Sequence, residues 1–255
     1  MKGLDQKLSQ TPSGAPDALP KSASARLRVV VFGAHGRMGI KLIEALRDDP
    51  ESTLEAAIGR HESLPARGDV IVDFSSPEGS KRALEAAKAI SVPLLVGTTG
   101  LSEAFVGQLR QASASIPVML ASNTSLGVAV MHRMVDTAVR GLGGAWRVRL
   151  EETHHTRKLD APSGTALALA DTVRQAGGVL PRERIASIRQ GEVVGRHRIE
   201  FEGPDERLVL EHEALDRALF ARGALVLARW LRTQPAGMHS VQAWLQSRLD
   251  AGGKA

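Results

Sequence analysis

The 255-residue sequence has no cysteine and no tyrosine, and aromatic residues make up only 3% of it. The lack of cysteine excludes disulfide frameworks, thiolate zinc sites, iron–sulfur clusters and cysteine nucleophiles, and with them aldehyde dehydrogenases that work through a thiohemiacetal. The lack of tyrosine excludes Tyr-x-x-x-Lys catalysis of the short-chain dehydrogenase kind. No run of about 18 apolar residues occurs, so no membrane span and no membrane partner are expected. Residues 1–25 lack the apolar stretch of a secretory leader, so a cytoplasmic protein is expected. Their Ser, Pro, Lys and Gln content predicts a disordered extension. The formal net charge is +5. Its basic residues are interleaved with acids and aromatics are scarce, which suits anionic small molecules and argues against a nucleic-acid partner.

What is present suits one large or two ordinary globular domains: 43% of residues are hydrophobic and 24% charged. Val29-Val30-Val31-Phe32 is a short, continuous apolar run ahead of glycine, as expected for a strand buried on both faces of a parallel sheet. A helix carrying Met38, Leu42, Ile43 and Leu46 follows and is closed by Pro50. Strands are expected at residues 54–58, 70–74, 93–96 and 118–121, with helices at 77–89 and 103–114. Such alternation predicts a doubly wound α/β domain, whose ligands bind at the carboxyl ends of its strands. After Gly127 the pattern changes to a helix with Val128, Met131, Met134 and Val135, a strand at 148–152, a helix from Thr165 and strands at 185–189, 196–202 and 208–212. This predicts a smaller α+β domain at 126–216. Residues 26–125 and 217–255 form the dinucleotide-binding domain, whose last helices, 220–231 and 241–249, return to its sheet.

Gly33-Ala34-His35-Gly36-Arg37-Met38-Gly39 lies between the first strand and helix, where glycines allow a pyrophosphate close to helix N–H groups. Arg37 is a candidate phosphate contact; a solvated side chain is the plain alternative. The second strand ends Ile58-Gly59-Arg60, without the acid that would hold ribose hydroxyls and select NAD. Arg60 is therefore a candidate for a 2′-phosphate, or else a surface arginine. The densest polar cluster is Glu151-Glu152-Thr153-His154-His155-Thr156-Arg157-Lys158-Leu159-Asp160-Ala161-Pro162-Ser163-Gly164-Thr165-Ala166. Its histidines and lysine can supply a proton donor and cationic anchors, and Ser163-Gly164-Thr165 at a helix start offers a carboxylate site. Ser163 can equally be an ordinary N-cap. Adjacent histidines do not share an ion easily, so no metal is expected.

That cluster, Glu152-x-His154-x-x-x-Lys158-x-Asp160-x-Pro162-Ser163-Gly164-Thr165-Ala166, closely resembles the signature of the 4-hydroxy-tetrahydrodipicolinate (dihydrodipicolinate) reductase family of bacterial lysine and diaminopimelate biosynthesis. The likeness extends from Val29 to about Leu231, through the glycine turn, Asp73-Phe74-Ser75-Ser76-Pro77-Glu78, Gly97-Thr98-Thr99-Gly100, Ala121-Ser122-Asn123, Gly195-x-His197 and Arg217-x-x-Phe220-x-x-Gly223. The resemblance implies a Rossmann-like fold and reduction of a cyclic imine dicarboxylate by NADPH or NADH. It implies that His154 donates the proton and that Lys158 binds a substrate carboxylate. His155, Ser163, Gly164 and Thr165 would complete the dicarboxylate site. Gly33, Gly36, Arg37 and Met38 would lie at the pyrophosphate, and Gly97, Thr99, Ala121 and Asn123 beside the nicotinamide. It further implies a homotetramer.

The sequence departs from that pattern in places. Arg149-Leu150 replace Glu followed by Ile or Val, Gly59 replaces the usual acid, and the stretches 60–68 and 184–191 are shortened. With Gly59 and Arg60, NADPH is expected to serve at least as well as NADH. Hinges are expected near Ser125 and Asp216. Reduction of another cyclic imine and a silent dinucleotide sensor are the competing readings; retention of His154 and Lys158 weighs against the sensor.

Overall fold

The computed structural model describes residues 26–252, so the expected N-terminal extension lies outside them. The first half alternates β1 (Leu27–Phe32), α1 (Arg37–Asp48), β2 (Ser52–Ile58), β3 (Val70–Asp73), α2 (Pro77–Ala89), β4 (Leu94–Val96), α3 (Glu103–Ala112) and β5 (Pro117–Leu120). These strands pair in parallel, and Val29 and Val31 point into one core while Val30 and Phe32 point into another. Helices α2 and α3 close the second core. The first is closed by α1 together with α6 (Ala218–Arg232) and α7 (Val241–Asp250) from the far end of the chain. Burial on both faces is why the strands read as unbroken apolar runs.

Between α6 and α7 runs β10 (Gly237–His239), which pairs with β5 and completes a six-stranded sheet in the order β10-β5-β4-β3-β1-β2. No strand is expected there from the residues alone. Three residues reading Gly-Met-His at a sheet edge carry no alternation, and only the neighbouring strand makes them a strand.

The second half comprises α4 (Leu126–Leu142), β6 (Arg147–His154), α5 (Gly164–Gln175), a 3₁₀ turn at Arg182–Arg184, β7 (Ile185–Arg189), β8 (Gly195–Glu202) and β9 (Arg207–Ala214). Its four-stranded mixed sheet has the order β7-β6-β8-β9. One face packs on α4 and α5 around Val135, Leu150, Leu169, Ile199 and Phe201. The other face is polar, and there Arg149 pairs with Glu202 at 3.4 Å. The departure at Arg149 therefore falls on the outer face, while Leu150 keeps its place in the core. β6 runs two residues beyond the expected Glu152, because β7 and β8 pair with it as far as His154 and Thr153.

Candidate active site

The inner face of the second sheet changes character along its length. On β6 the buried row runs Val148, Leu150, Glu152, His154, and on β8 it runs Phe201, Ile199, His197, Gly195. The strands are antiparallel, with Glu152 directly opposite His197, so both rows turn polar at the same end. There Glu152 Oε2 bonds His154 Nδ1, and Arg189 of β7 donates to Glu152 Oε1 at 3.0 Å. The Ser163 N–H adds a bond to the same oxygen at 3.3 Å. The His197 ring meets His154 edge-on at 5.2 Å between centroids, and its Nε2 lies 3.2 Å from the Ser163 hydroxyl.

Burial works to raise Glu152, but bonds from Arg189, Ser187 and His154 outweigh it and hold the carboxyl below its usual range. Burial lowers His154, with Lys158 and Arg189 adding to the effect and the Glu152 carboxylate opposing it. Burial, with His154 alongside, pushes His197 down to about 4. A Cβ at Gly195 would stand 3.0 Å from His154 Nε2, so glycine there leaves room beside that nitrogen.

Arg189 also donates to the carbonyls of Lys158 at 3.2 Å and Asp160 at 2.6 Å, fixing the loop between β6 and α5. From that loop Lys158 Nζ pairs with Asp160 at 2.9 Å. Ser163 caps α5, accepting from Ala166 N at 3.2 Å, and is almost fully buried. Its hydroxyl is thus shared between the cap and His197. Asn123, after β5, donates to Thr165 Oγ1 at 3.0 Å and ties the first sheet to the start of α5. Arg217, just before α6, lies 3.0 Å from His155 Nε2.

The facing wall is the carboxyl end of the parallel sheet. Gly33, at φ +79°, is pressed against the next loop: a Cβ there would lie 2.4 Å from the Phe74 carbonyl oxygen. A Cβ at Gly97 would fall 2.1 Å from the Phe74 ring. Buried Asp73 ties these loops together, accepting from Ser75 N at 3.0 Å and Thr98 Oγ1 at 2.9 Å and from the Ser80 hydroxyl. Helices α2, α3, α4, α5 and α7 each start with a serine cap, whereas α1 starts at Gly36 with no side-chain cap and no acid in its first turn. Its N–H groups therefore face the cleft unspent on side chains, which fits an anion such as a pyrophosphate.

Two cavities of about 570 Å³ each meet between these walls and share Thr99, Asn123, His154, Lys158, Asp160 and Thr165. Arg37, Met38, Gly97, His155 and Arg217 line one, and Ala121, Ser163 and Gly164 line the other. Gly33 and Gly36 shape the turn behind them. Arg60 is separate: it is exposed on the loop after β2 and lines neither cavity.

Glu152 and Arg189 were not singled out as site residues from the sequence. A spacing of two puts Glu152 on the His154 face only once β7 and β8 carry β6 past Glu152, and Arg189 likewise arrives through the β6–β7 pairing. Although no metal is expected from the adjacent histidines, the strand brings the ligand atoms of Glu152, His154 and His197 within 4.8 Å of one another. Both Glu152 oxygens are already bonded to protein donors, which is the pattern of a positioned acid–histidine pair.

Comparison with known proteins accounts for this arrangement. The model described as "Dihydrodipicolinate reductase, C-terminus" matches residues 127–245, and "Dihydrodipicolinate reductase, N-terminus" matches 27–68 and 62–124. The chain belongs to the dihydrodipicolinate reductase family. The two N-terminal stretches overlap at 62–68, in the connection from β2 to β3. A 4-hydroxy-tetrahydrodipicolinate reductase of Stenotrophomonas maltophilia is 41% identical over 238 residues, covering 86% of this chain and 98% of the relative. One from Campylobacter jejuni is 37% identical over 240 residues, covering 86% and 99%. Among solved structures, a dipicolinate-bound dihydrodipicolinate reductase from Paenisporosarcina sp. TG-14 shares the fold, with a TM-score of 0.72 at 20% identity over 84% of this chain and 97% of that one. The chain is thus an oxidoreductase that uses a nicotinamide cofactor, and the uncapped α1 turn is where its residues fit one. Among the described residues no helix is long and apolar enough to cross a membrane.

Proposed function

We propose that the chain reduces 4-hydroxy-tetrahydrodipicolinate, with loss of water, to tetrahydrodipicolinate, the reduction step of the diaminopimelate route to lysine. The observation that carries the reading is the Glu152–His154 pair at the end of a cavity that holds Lys158 and the α5 N-terminus on one side and the uncapped α1 turn on the other. A bound reduced nicotinamide supplies the hydride. Gly33, Gly36, Arg37 and Met38 would hold its pyrophosphate, and Gly97, Thr99, Ala121 and Asn123 would hold its nicotinamide.

The substrate's two carboxylates need cationic and N–H partners. Lys158 supplies the cation, exchanging Asp160 for a substrate carboxylate. Gly164 and Thr165 supply N–H groups and a hydroxyl, and His155, steadied by Arg217, borders the second carboxylate. Ser163 acts beneath them as cap and as partner of His197. His154, with Nδ1 turned to Glu152, presents Nε2 and gives its proton to the carbon that gains electron density as hydride arrives. A dianion beside His154 favours its charged form, offsetting the burial that lowers it in the free protein.

Both NADPH and NADH serve in this reading. Arg60 offers a cation to a 2′-phosphate, and an acid is also present there, supplied by Glu62 instead of residue 59. We further propose a cytoplasmic homo-oligomer, a tetramer as the family resemblance implies, supported by Ile188, Leu208 and Val209, which stay exposed on the outer strands β7 and β9. Segments near Ser125 and Asp216, where the chain crosses between the sheets, would serve as hinges between lobes 26–125 plus 217–255 and 126–216.

Dipicolinate, a planar and unreactive dicarboxylate, tests the binding half of this reading. Calorimetry with NADPH-loaded protein is expected to give a saturable complex, weakened at least about tenfold by Lys158→Ala while NADPH affinity stays within about twofold. Equal dipicolinate affinity in the variant would remove Lys158 from the site.

A further inference from the structure

The end of β2 carries an acid that its own sequence position lacks. Glu62, three residues beyond Gly59, folds back so that Oε2 accepts the Gly59 N–H and Oε1 lies 3.0 Å from His35 Nε2. A Cβ at residue 59 would stand 2.7 Å from His35 Cδ2 and 3.3 Å from Glu62 Oε1. The His35 ring and the Glu62 carboxylate therefore occupy the volume that a side chain at 59 would fill, and glycine there makes the arrangement possible. Arg82, reaching over from α2, donates to the carbonyls of Gly59 at 3.0 Å and Arg60 at 2.5 Å and to that of Glu62. Three of its five N–H donors go to main-chain oxygens, so it fixes the shape of the loop.

This corner adjoins the dinucleotide turn directly, since the N–H groups of Gly33 and Ala34 donate to the Ile58 carbonyl at 2.9 and 3.3 Å. In doubly wound sheets the adenosine ribose lies between that turn and the end of the second strand. The bonds from His35 and Gly59 hold the Glu62 carboxyl below its usual range, so it is ionised at neutral pH. Half-exposed, it can accept from a ribose hydroxyl and repels a phosphate attached there.

We propose that Glu62 is the residue that sets this protein's discrimination between a 2′-hydroxyl and a 2′-phosphate dinucleotide, standing in from the loop for the acid missing at position 59. The proposal rests on the nicotinamide-cofactor reading. Glu62 and Arg60 then act in opposition, the carboxylate favouring NADH and the guanidinium admitting NADPH, and the balance belongs to this loop as a whole.

The test is a titration of the full chain with NADPH and NADH, followed by nicotinamide fluorescence, and with adenosine 2′,5′-bisphosphate and AMP by calorimetry, in wild type, Glu62→Gln and Glu62→Ala. Glu62→Gln keeps the shape and removes the charge. In both variants the ratio Kd(NADPH)/Kd(NADH) is expected to fall about fivefold, with the bisphosphate tightening relative to AMP by a similar factor, the scale of one exposed charge. A ratio within about twofold of wild type in both variants would overturn the role of Glu62 while leaving the cofactor reading intact. Wild-type protein that binds neither dinucleotide would overturn the cofactor reading, and this proposal with it.

Discussion

His154 is under opposing influences: burial, Lys158 and Arg189 disfavour its charged form, and only the Glu152 carboxylate favours it. A proton donor must be charged to act, so activity is lost as pH rises through its pKa. In the free protein that pKa is depressed, which puts the fall of kcat/KM at lower pH than the fall of kcat, where the bound dianion raises it. Glu152→Gln removes both the orientation of Nδ1 and the one raising influence. It is expected to lower kcat about 100-fold and to move the falling limb of kcat/KM to still lower pH. A slower enzyme with an unchanged pH profile would reduce Glu152 to a structural part. The Glu152–His154 spacing fits one face of a strand, because side chains on a strand repeat every two residues, but the strand expected from the sequence ends at Glu152 and only pairing with β7 carries it to His154. The Glu62 contact could not be read from the sequence, because a loop has no period from which to infer it.

Among the elements, β7 contributes little to the core beyond Ile185 and much to the geometry of the site. Its Arg189 is the cationic partner of fully buried Glu152 and holds two carbonyls of the Lys158 loop. Removing one partner of such a pair strands a buried charge, so Arg189→Ala is expected to cost about 3 kcal/mol in urea unfolding. By contrast, Arg157–Glu192 nearby is 67% and 74% exposed, and its loss is expected to cost under about 1 kcal/mol in the same measurement. The β/α alternation was legible because buried parallel strands are apolar throughout and helices α1 to α3 keep their 3.6-residue period. β10 and the last residues of β6 were not, since their strand state comes from partners rather than from their own composition.

At the scale of the whole molecule, three cores, one on each face of the parallel sheet and one under the mixed sheet, are bridged where the two polar ends meet. The polar signature was legible in the sequence as a run from Glu152 to Ala166. The four loops of the facing wall were legible as well, as polar turns at strand ends, whereas the bonds of Asp73 and Asn123 that hold them in place came into view only with the fold. Burial also carries a cost in acid. His132, His154, His197 and His212 are all depressed chiefly by burial, below an unfolded value near 6.5. Groups depressed in this way contribute stability above that value and lose it as pH falls through the folded pKa. For His197 the loss continues to about 4 and amounts to about 3 kcal/mol. Urea midpoints are therefore expected to drop between pH 7 and pH 4.5, less steeply in His197→Asn; an equal slope in that variant would contradict the burial argument. The reaction is measured by coupling the purified protein to dihydrodipicolinate synthase, pyruvate and aspartate semialdehyde, and following nicotinamide absorbance with NADPH and NADH in parallel. Synthase-dependent oxidation of both cofactors is the expected result, and no oxidation by protein that demonstrably binds them would contradict it.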